Sequence, residues 1–306
     1  LHSGNIALID QQWTPFDCIE FNPDLRWIDT ASDLAFLLMD LELRGFPAHA
    51  NQILNACLEY SGDYALLQLL DFYRAYRAMV RAKVCILRMQ QFGLSTLALD
   101  TLQQEFARYL DYALQLQKPR PRFLAVMMGV SGSGKSTVAR QIAAQTGAIQ
   151  LRSDATRKRL CGLTPLQDSA SSLPVGIYTD VISRQTFAQL LDDAAAILEW
   201  GYPVIVDATF LQQAHRAPFL ELAERNHVHF VIVHCQASVD ELKRRILQRQ
   251  QQATDVSEAG IEVMERQLQY QEPLSAVESS YYLPAETVER SGNFVALLQR
   301  QPHEES

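Results

Sequence analysis

The residues best suited to chemistry lie together at Gly129-Val130-Ser131-Gly132-Ser133-Gly134-Lys135-Ser136. The spacing is G-x-x-x-x-G-K-[ST], set between a short apolar run and a helical pattern. Glycine at Gly129, Gly132 and Gly134 lets the backbone curl until several N–H groups face one point. A helix starting at Lys135 adds partial positive charge at that point, so the loop is built to hold phosphate. Lys135 is long enough to reach the outer phosphates of a nucleoside triphosphate, and Ser136 offers a hydroxyl to Mg²⁺. Ser131, Ser133 and Thr137 complete the nucleotide-binding candidates, and the expected cofactors are ATP and Mg²⁺.

A carboxylate beside this loop would complete a metal site. Val204-Ile205-Val206-Asp207 is an apolar strand pattern ending in an acid. The carboxyl ends of strands in open α/β sheets border the ligand crevice, so Asp207 is the candidate for Mg²⁺, directly or through water. A turn or helix-cap aspartate is the other reading of the same residue. Asp154, in Arg152-Ser153-Asp154-Ala155-Thr156-Arg157, also follows a strand pattern. It can accept the proton of an attacking hydroxyl, and it can equally cap the next helix. Lys243, Arg244, Arg245 and Arg249 share one helical segment, with Arg245 and Arg249 on one face. They suit either a solvated basic face or a lid over the phosphates. The polar stretch Gln248–Asp255 is the expected closing segment.

These groups need a scaffold, and two different patterns supply it. Residues 118–122, Lys-Pro-Arg-Pro-Arg, break any helix and read as a linker. After them, strand patterns at Phe123–Met128, Ala148–Arg152, Pro203–Val206 and His229–Val233 alternate with helical ones. The helices are expected at Lys135–Thr146, Ser183–Trp200, Ala214–Asn226, Val239–Gln252 and Glu258–Gln271. Short unbroken apolar strands between helices predict a parallel sheet covered on both faces, a three-layer α/β/α domain. Before the linker, Thr30–Gln117 is helical, with apolar residues at three-and-four spacing (Leu34, Leu37, Leu38, Leu41; Phe72, Ala75, Tyr76, Met79). The spacing predicts four or five packed helices, with the apolar stripe of Phe72–Arg88 buried and its arginines in solvent.

Composition bounds the partners. The 306 residues carry 27 Lys and Arg against 35 Asp and Glu, a net charge of −8, and 48% are hydrophobic. That length and apolar content suit about two globular domains and exclude a mainly disordered chain. The acidic balance gives no general attraction to nucleic acid or anionic membrane. No apolar run approaches the roughly 20 residues of a membrane span, and Leu1-His2-Ser3-Gly4-Asn5 has no signal-peptide pattern. The five cysteines are odd in number and lack a C-x-x-C pair, which fits reduced thiols and a cytoplasmic setting. The sequence carries no signature of oligomeric state.

Residues 123 to about 275 resemble the small P-loop kinases of the zeta-toxin, gluconate-kinase and polynucleotide-kinase type. The resemblance rests on Gly129–Thr137, Ser153-Asp154-x-x-Arg157, Val206-Asp207-Ala208-Thr209 and the arginine-bearing helix. It implies that Asp154 is the catalytic base and that Arg157 contacts a phosphate or the transition state. Lys135, Arg245 and Arg249 would stabilise the moving charge. Residues 1–117 resemble the C-terminal part of an aminoglycoside-phosphotransferase-like, protein-kinase-like domain, with its H-x-D-x-x-x-x-N loop. That resemblance makes Asn5 and Asp17 a relic metal site and sets the loop's catalytic aspartate immediately before Leu1. The whole order is similar to bacterial fusions of that domain with an AAA-type P-loop kinase domain: 1–117, linker 118–122, then 123–306. The expected activity is transfer of the ATP γ-phosphoryl group to a hydroxyl of an unidentified acceptor, a small molecule or a nucleic-acid end. The alternative is an ATP-gated binding module with slow ATPase activity.

Overall fold

The computed structural model describes residues 1–17, 22–165, 167, 179–252, 256–257 and 259–299. The chain forms two units: residues 1–54 with 63–119, and residues 55–62 with 120–306. Segment 55–62, which the sequence assigns to the first domain, therefore packs with the second.

The first unit opens on a hairpin of β1 (Ile6–Ile9) and β2 (Gln12–Pro15). Asp10 and Gln11 make a two-residue turn with φ of 48° and 62°, the left-handed geometry that matches strand twist. Helices follow: α1 (Pro23–Arg26), α2 (Thr30–Leu43), α3 (Pro47–Ser61), α4 (Leu67–Met89) and α5 (Thr96–Gln115). The Asp29 carboxylate caps α2 by accepting from the Ala31 N–H at 2.8 Å. Helix α4 packs on α2 and α5, but not through the stripe its sequence suggests. Phe72, Tyr76 and Met79 are 63%, 52% and 46% exposed, whereas Leu67, Leu70, Arg74, Ala78, Ala82 and Cys85 are buried. Ala78 and Ala82 let neighbouring helices approach, which larger residues on that face would prevent. Arg74, expected in solvent, is buried beside Glu42 (3.3 Å) and Asp71 (3.7 Å), and the Tyr112 hydroxyl donates to Glu42 at 2.5 Å.

The second unit is built on β3 (Phe123–Met128), whose six residues are all buried. It continues through α6 (Lys135–Thr146), β4 (Ile149–Arg152), α7 (Ser153–Leu160), α8 (Asp180–Glu199), β5 (Val204–Asp207) and α9 (Gln213–Arg225). Then come β6 (His229–His234), α10 (Val239–Gln252), α11 (Ile261–Gln269), α12 (Ala276–Ser279), β7 (Tyr282–Pro284), α13 (Ala285–Ser291) and α14 (Phe294–Leu298). The sheet order is β4-β5-β3-β6-β7, with every pair parallel. Apolar runs in β3, β5 and β6 suit strands covered on both faces. The edge strand β7 and the short helices α12, α13 and α14 are additions to the sequence-based reading. Within the described residues no helix is long and apolar enough to cross a membrane, and Cys57, Cys85, Cys161 and Cys235 are free. Cys18 lies outside the described residues.

One buried pair ties the C-terminal elements to this sheet. Arg216 on α9 is 0% exposed, and its Nε donates to Glu278 Oε1 at 2.6 Å. Its other nitrogens reach Glu278 Oε2 (3.1 Å) and the Phe210 carbonyl (3.0 Å). Glu278 also closes a capping box with Ser275 at the start of α12. Removing one partner leaves the other charged and buried. Arg216→Ala is expected to cost about 3–5 kcal/mol in urea unfolding, and Arg216→Met with Glu278→Leu distinctly less.

Candidate functional site

The parallel strands end on one rim, and the glycine-rich loop leaves that rim from β3. Gly129 has φ 143°, and a Cβ there would lie 2.4 Å from the Cys235 carbonyl oxygen and 2.7 Å from Ser133 Oγ. Its N–H donates to the Thr209 carbonyl at 3.0 Å, so the root of the loop is gripped by the segments that follow β5 and β6. Gly132, with φ 83°, likewise faces the Leu242 carbonyl of α10 at 3.0 Å from a would-be Cβ. Helix α6 then begins at Lys135 with its N-terminus toward the loop.

Lys135 is buried, and its ammonium donates to the Val130 carbonyl at 2.8 Å. Burial pushes its pKa below the usual lysine value, while the carboxylates Asp207 and Asp154 act in the opposite direction. The Cys235 thiol is itself pushed up to about 12 by burial, so it stays protonated. Asp207 ends β5, is 5% exposed, and accepts from Gln150 Nε2 at 2.9 Å. Arg152, its register partner on β4, has Nε 3.6 Å from Asp207 Oδ2. Asp154 lies in the first turn of α7 and is not its N-cap; it pairs with Arg157 at 2.7 Å.

These residues line one cleft of about 760 Å³ within the second unit. Ser131, Gly132, Gly134, Lys135, Ser136 and Thr137 form one wall, and Asp207, Asp154 and Arg157 face the same space. Gly129 and Ser133 sit behind the wall and shape it. Arg245 and Arg249 also line the cleft, so the structure brings both to the phosphate loop. Arg245 is held by Glu241, which Arg244 and Arg245 together draw down to about 2. Arg249 donates to the Ala259 carbonyl at 2.5 Å. Residues 248–252, expected in a closing segment, continue α10, and 253–255 lie outside the described residues. Residues 166 and 168–178 lie outside them too.

The donor set fits a nucleotide. On the cleft wall, Arg249 Nε is buried with no hydrogen-bond partner among the described residues, as a group waiting for an oxygen-rich ligand would be. Hard oxygens from Asp207 and Ser136 suit Mg²⁺ completed by phosphate and water. Among the described residues no three His, Cys, Asp or Glu side chains converge on a metal position. In the first unit Asn5 Nδ2 donates to Asp17 Oδ2 at 3.2 Å, which brings together the two residues of the expected relic site.

Residues 124–274 match the AAA domain family. That stretch takes in the glycine-rich loop, β4, β5, β6 and all but the first residue of β3 of the five-stranded parallel sheet. An uncharacterized protein of Mycobacterium tuberculosis H37Rv, Rv2004c, is 35% identical over 249 residues, 81% of this chain and 49% of its own. An uncharacterized protein of Mycobacterium bovis, Mb2027c, matches with the same identity and coverage, 35%, 81% and 49%. The chain thus spans about half the length of the curated relatives it matches. Among solved structures, a gluconokinase from Sinorhizobium meliloti 1021 aligns at a TM-score of 0.41 and 22% identity, covering 60% of this chain and 94% of its own. The Mycobacterium tuberculosis APS kinase CysC, in complex with AMPPNP and APS, aligns at a TM-score of 0.41 and 21% identity, covering 60% and 99%.

Several residues of the P-loop domain's cleft carry no motif. Gln267 on α11 accepts from the Ser131 N–H at 2.7 Å, a loop amide of the kind that binds phosphate. Phe187 and His215 stack at 4.0 Å with an 11° interplanar angle on the wall next to Asp180 and Ser183. Their only sequence signal is position on helices that happen to border the cleft. Two outcomes are expected. Lys135→Ala should weaken ATP binding by about 10–100-fold in calorimetry, the value of a lost charged hydrogen bond. Burial lowers the pKa of His215, so the folded state resists its protonation. That contribution to stability is complete above the ordinary histidine pKa of about 6.5 and is lost as pH falls through the lowered value. The thermal midpoint should therefore fall less steeply with acidification in His215→Phe than in wild type.

Proposed function

We propose that the second unit binds ATP with Mg²⁺ and transfers the γ-phosphoryl group to a hydroxyl of a small molecule or a nucleic-acid end. The observation that carries this reading is the sharing of one cleft by the loop Gly129–Ser136, the strand-end Asp207 and the Asp154–Arg157 pair. A plain nucleotide hydrolase has no need of a second carboxylate–arginine pair across from the phosphate loop. Asp154 accepts the acceptor's hydroxyl proton as the oxygen attacks the γ-phosphorus, and the bond from that phosphorus to the β–γ bridging oxygen breaks to release ADP. Arg157, kept close by Asp154, offers positive charge to the transferring group, and Lys135, Arg245 and Arg249 surround its oxygens. Mg²⁺ held by Ser136 and Asp207 would neutralise the phosphate oxygens. Little covalent chemistry falls to the protein, so positioning supplies most of the rate.

The first unit is read as the C-terminal part of an aminoglycoside-phosphotransferase-like domain, a reading supported by the Asn5–Asp17 contact beside a helical bundle. Asp154→Asn keeps the shape of the pair and removes the base. In a screen of hydroxyl acceptors with labelled ATP, it should slow transfer by about 10²–10⁴-fold with ATP affinity retained. Equal transfer by both proteins would remove Asp154 from the mechanism. ADP release that no acceptor stimulates would instead favour a nucleotide-gated module.

A further inference from the structure

Segment 55–62 packs in the same unit as the P-loop domain, although the chain passes through two more long helices before reaching it. Its contacts are specific. Asn55 lies along the edge strand β4: its Nδ2 donates to the Ala148 carbonyl at 3.0 Å, and its Oδ1 accepts from the Gln150 N–H at 2.7 Å. One helical turn later, Glu59 Oε1 accepts from Arg152 at 2.9 Å. The Glu59 carbonyl takes a further bond from Arg159 at 3.1 Å. At Gly62 a Cβ would stand 2.7 Å from Arg159 Cδ, so the helix end is seated closely on α7.

Arg152 is the consequential partner. It lines the cleft, is 9% exposed, and stands between two carboxylates. It hydrogen-bonds Glu59 at 2.9 Å but approaches Asp207 only to 3.6 Å, an ion-pair distance without a hydrogen bond. A guanidinium this near a carboxylate can close on it and offset its charge. Glu59 instead holds the guanidinium by a terminal nitrogen at 2.9 Å, with Nε kept 3.6 Å from Asp207. We propose that Glu59 is a positioning residue for the phosphate site: it restrains Arg152 so that Asp207 keeps its charge for the cation of the nucleotide complex. The inference rests on the reading of Asp207 as the Mg²⁺-side carboxylate.

The test uses the full chain and calorimetric titration of ADP over a series of Mg²⁺ concentrations, with thermal midpoints recorded alongside. Glu59→Gln keeps the size and the acceptor oxygen but loses the charge. It should raise the Mg²⁺ concentration for half-maximal ADP affinity about fivefold and leave metal-free ADP affinity unchanged. Glu59→Gln with Arg152→Gln removes both the carboxylate and the guanidinium it holds, and should return the Mg²⁺ dependence to within about twofold of wild type. A wild-type Mg²⁺ profile in Glu59→Gln would overturn the proposal. So would a defect that persists in full in the double variant, or a loss of fold common to both, since either makes Glu59 a packing residue only. ADP binding by wild type that ignores Mg²⁺ would instead defeat the metal reading of Asp207 itself, and the inference with it.

Discussion

Parallel pairing of β3 with β5 places Val126 beside Val206, so both strands run out at the same rim. Parallel strands point their carboxyl ends the same way, and whatever follows them must share that edge. From β3 follows a loop that curls because Gly129 and Gly132 have backbone where side chains would stand. From β5 follows nothing but its own last residue, Asp207, with its carboxylate already at the edge. Were the pairing antiparallel or slipped by one residue, the loop and the acid would sit at opposite ends or on opposite faces.

Electrostatics in the cleft follow from that enforced proximity. Lys135 loses hydration and regains part of its stabilisation from Asp207 and Asp154. The acids are in turn handled by Gln150, Arg152 and Arg157, each from an element that the sheet order brings near. Charges of both signs therefore meet in the site, Arg152 near Asp207 and Arg157 beside Asp154. This is the arrangement in which a highly charged phosphate ligand can enter without leaving one sign of charge stranded in a poorly solvated space.

The legible part of the molecule was the part written locally. Loop, strand and helix at 123–146 are contiguous, and the structure repeats their expected limits, Phe123–Met128 and Lys135–Thr146. Asp207 was legible because an apolar run ending in an acid carries its own context. Gln267, Arg152 and Glu59 were not, since their positions depend on chain separated from the loop by many residues. Strand β7 has three residues, too few for a period, and exists because β6 offers it an edge. Helix α4 misled for another reason. Its larger apolar residues form a tidy stripe, but close packing against α2 and α5 selected the face with Ala78 and Ala82, and a salt-bridged arginine paid the polar cost.

The Asn55 amide on β4 also bears on where this protein can be divided. An edge strand with unpaired peptide groups is a template for another strand, from a neighbour or from a misfolded copy. Here the Ala148 carbonyl and the Gln150 N–H are both occupied by one side chain borrowed from upstream helix. The proline-rich segment at 118–122 looks like a natural place to cut. A fragment starting there would keep the sheet and lose its edge guard, and so would carry a sticky flank that the intact chain conceals.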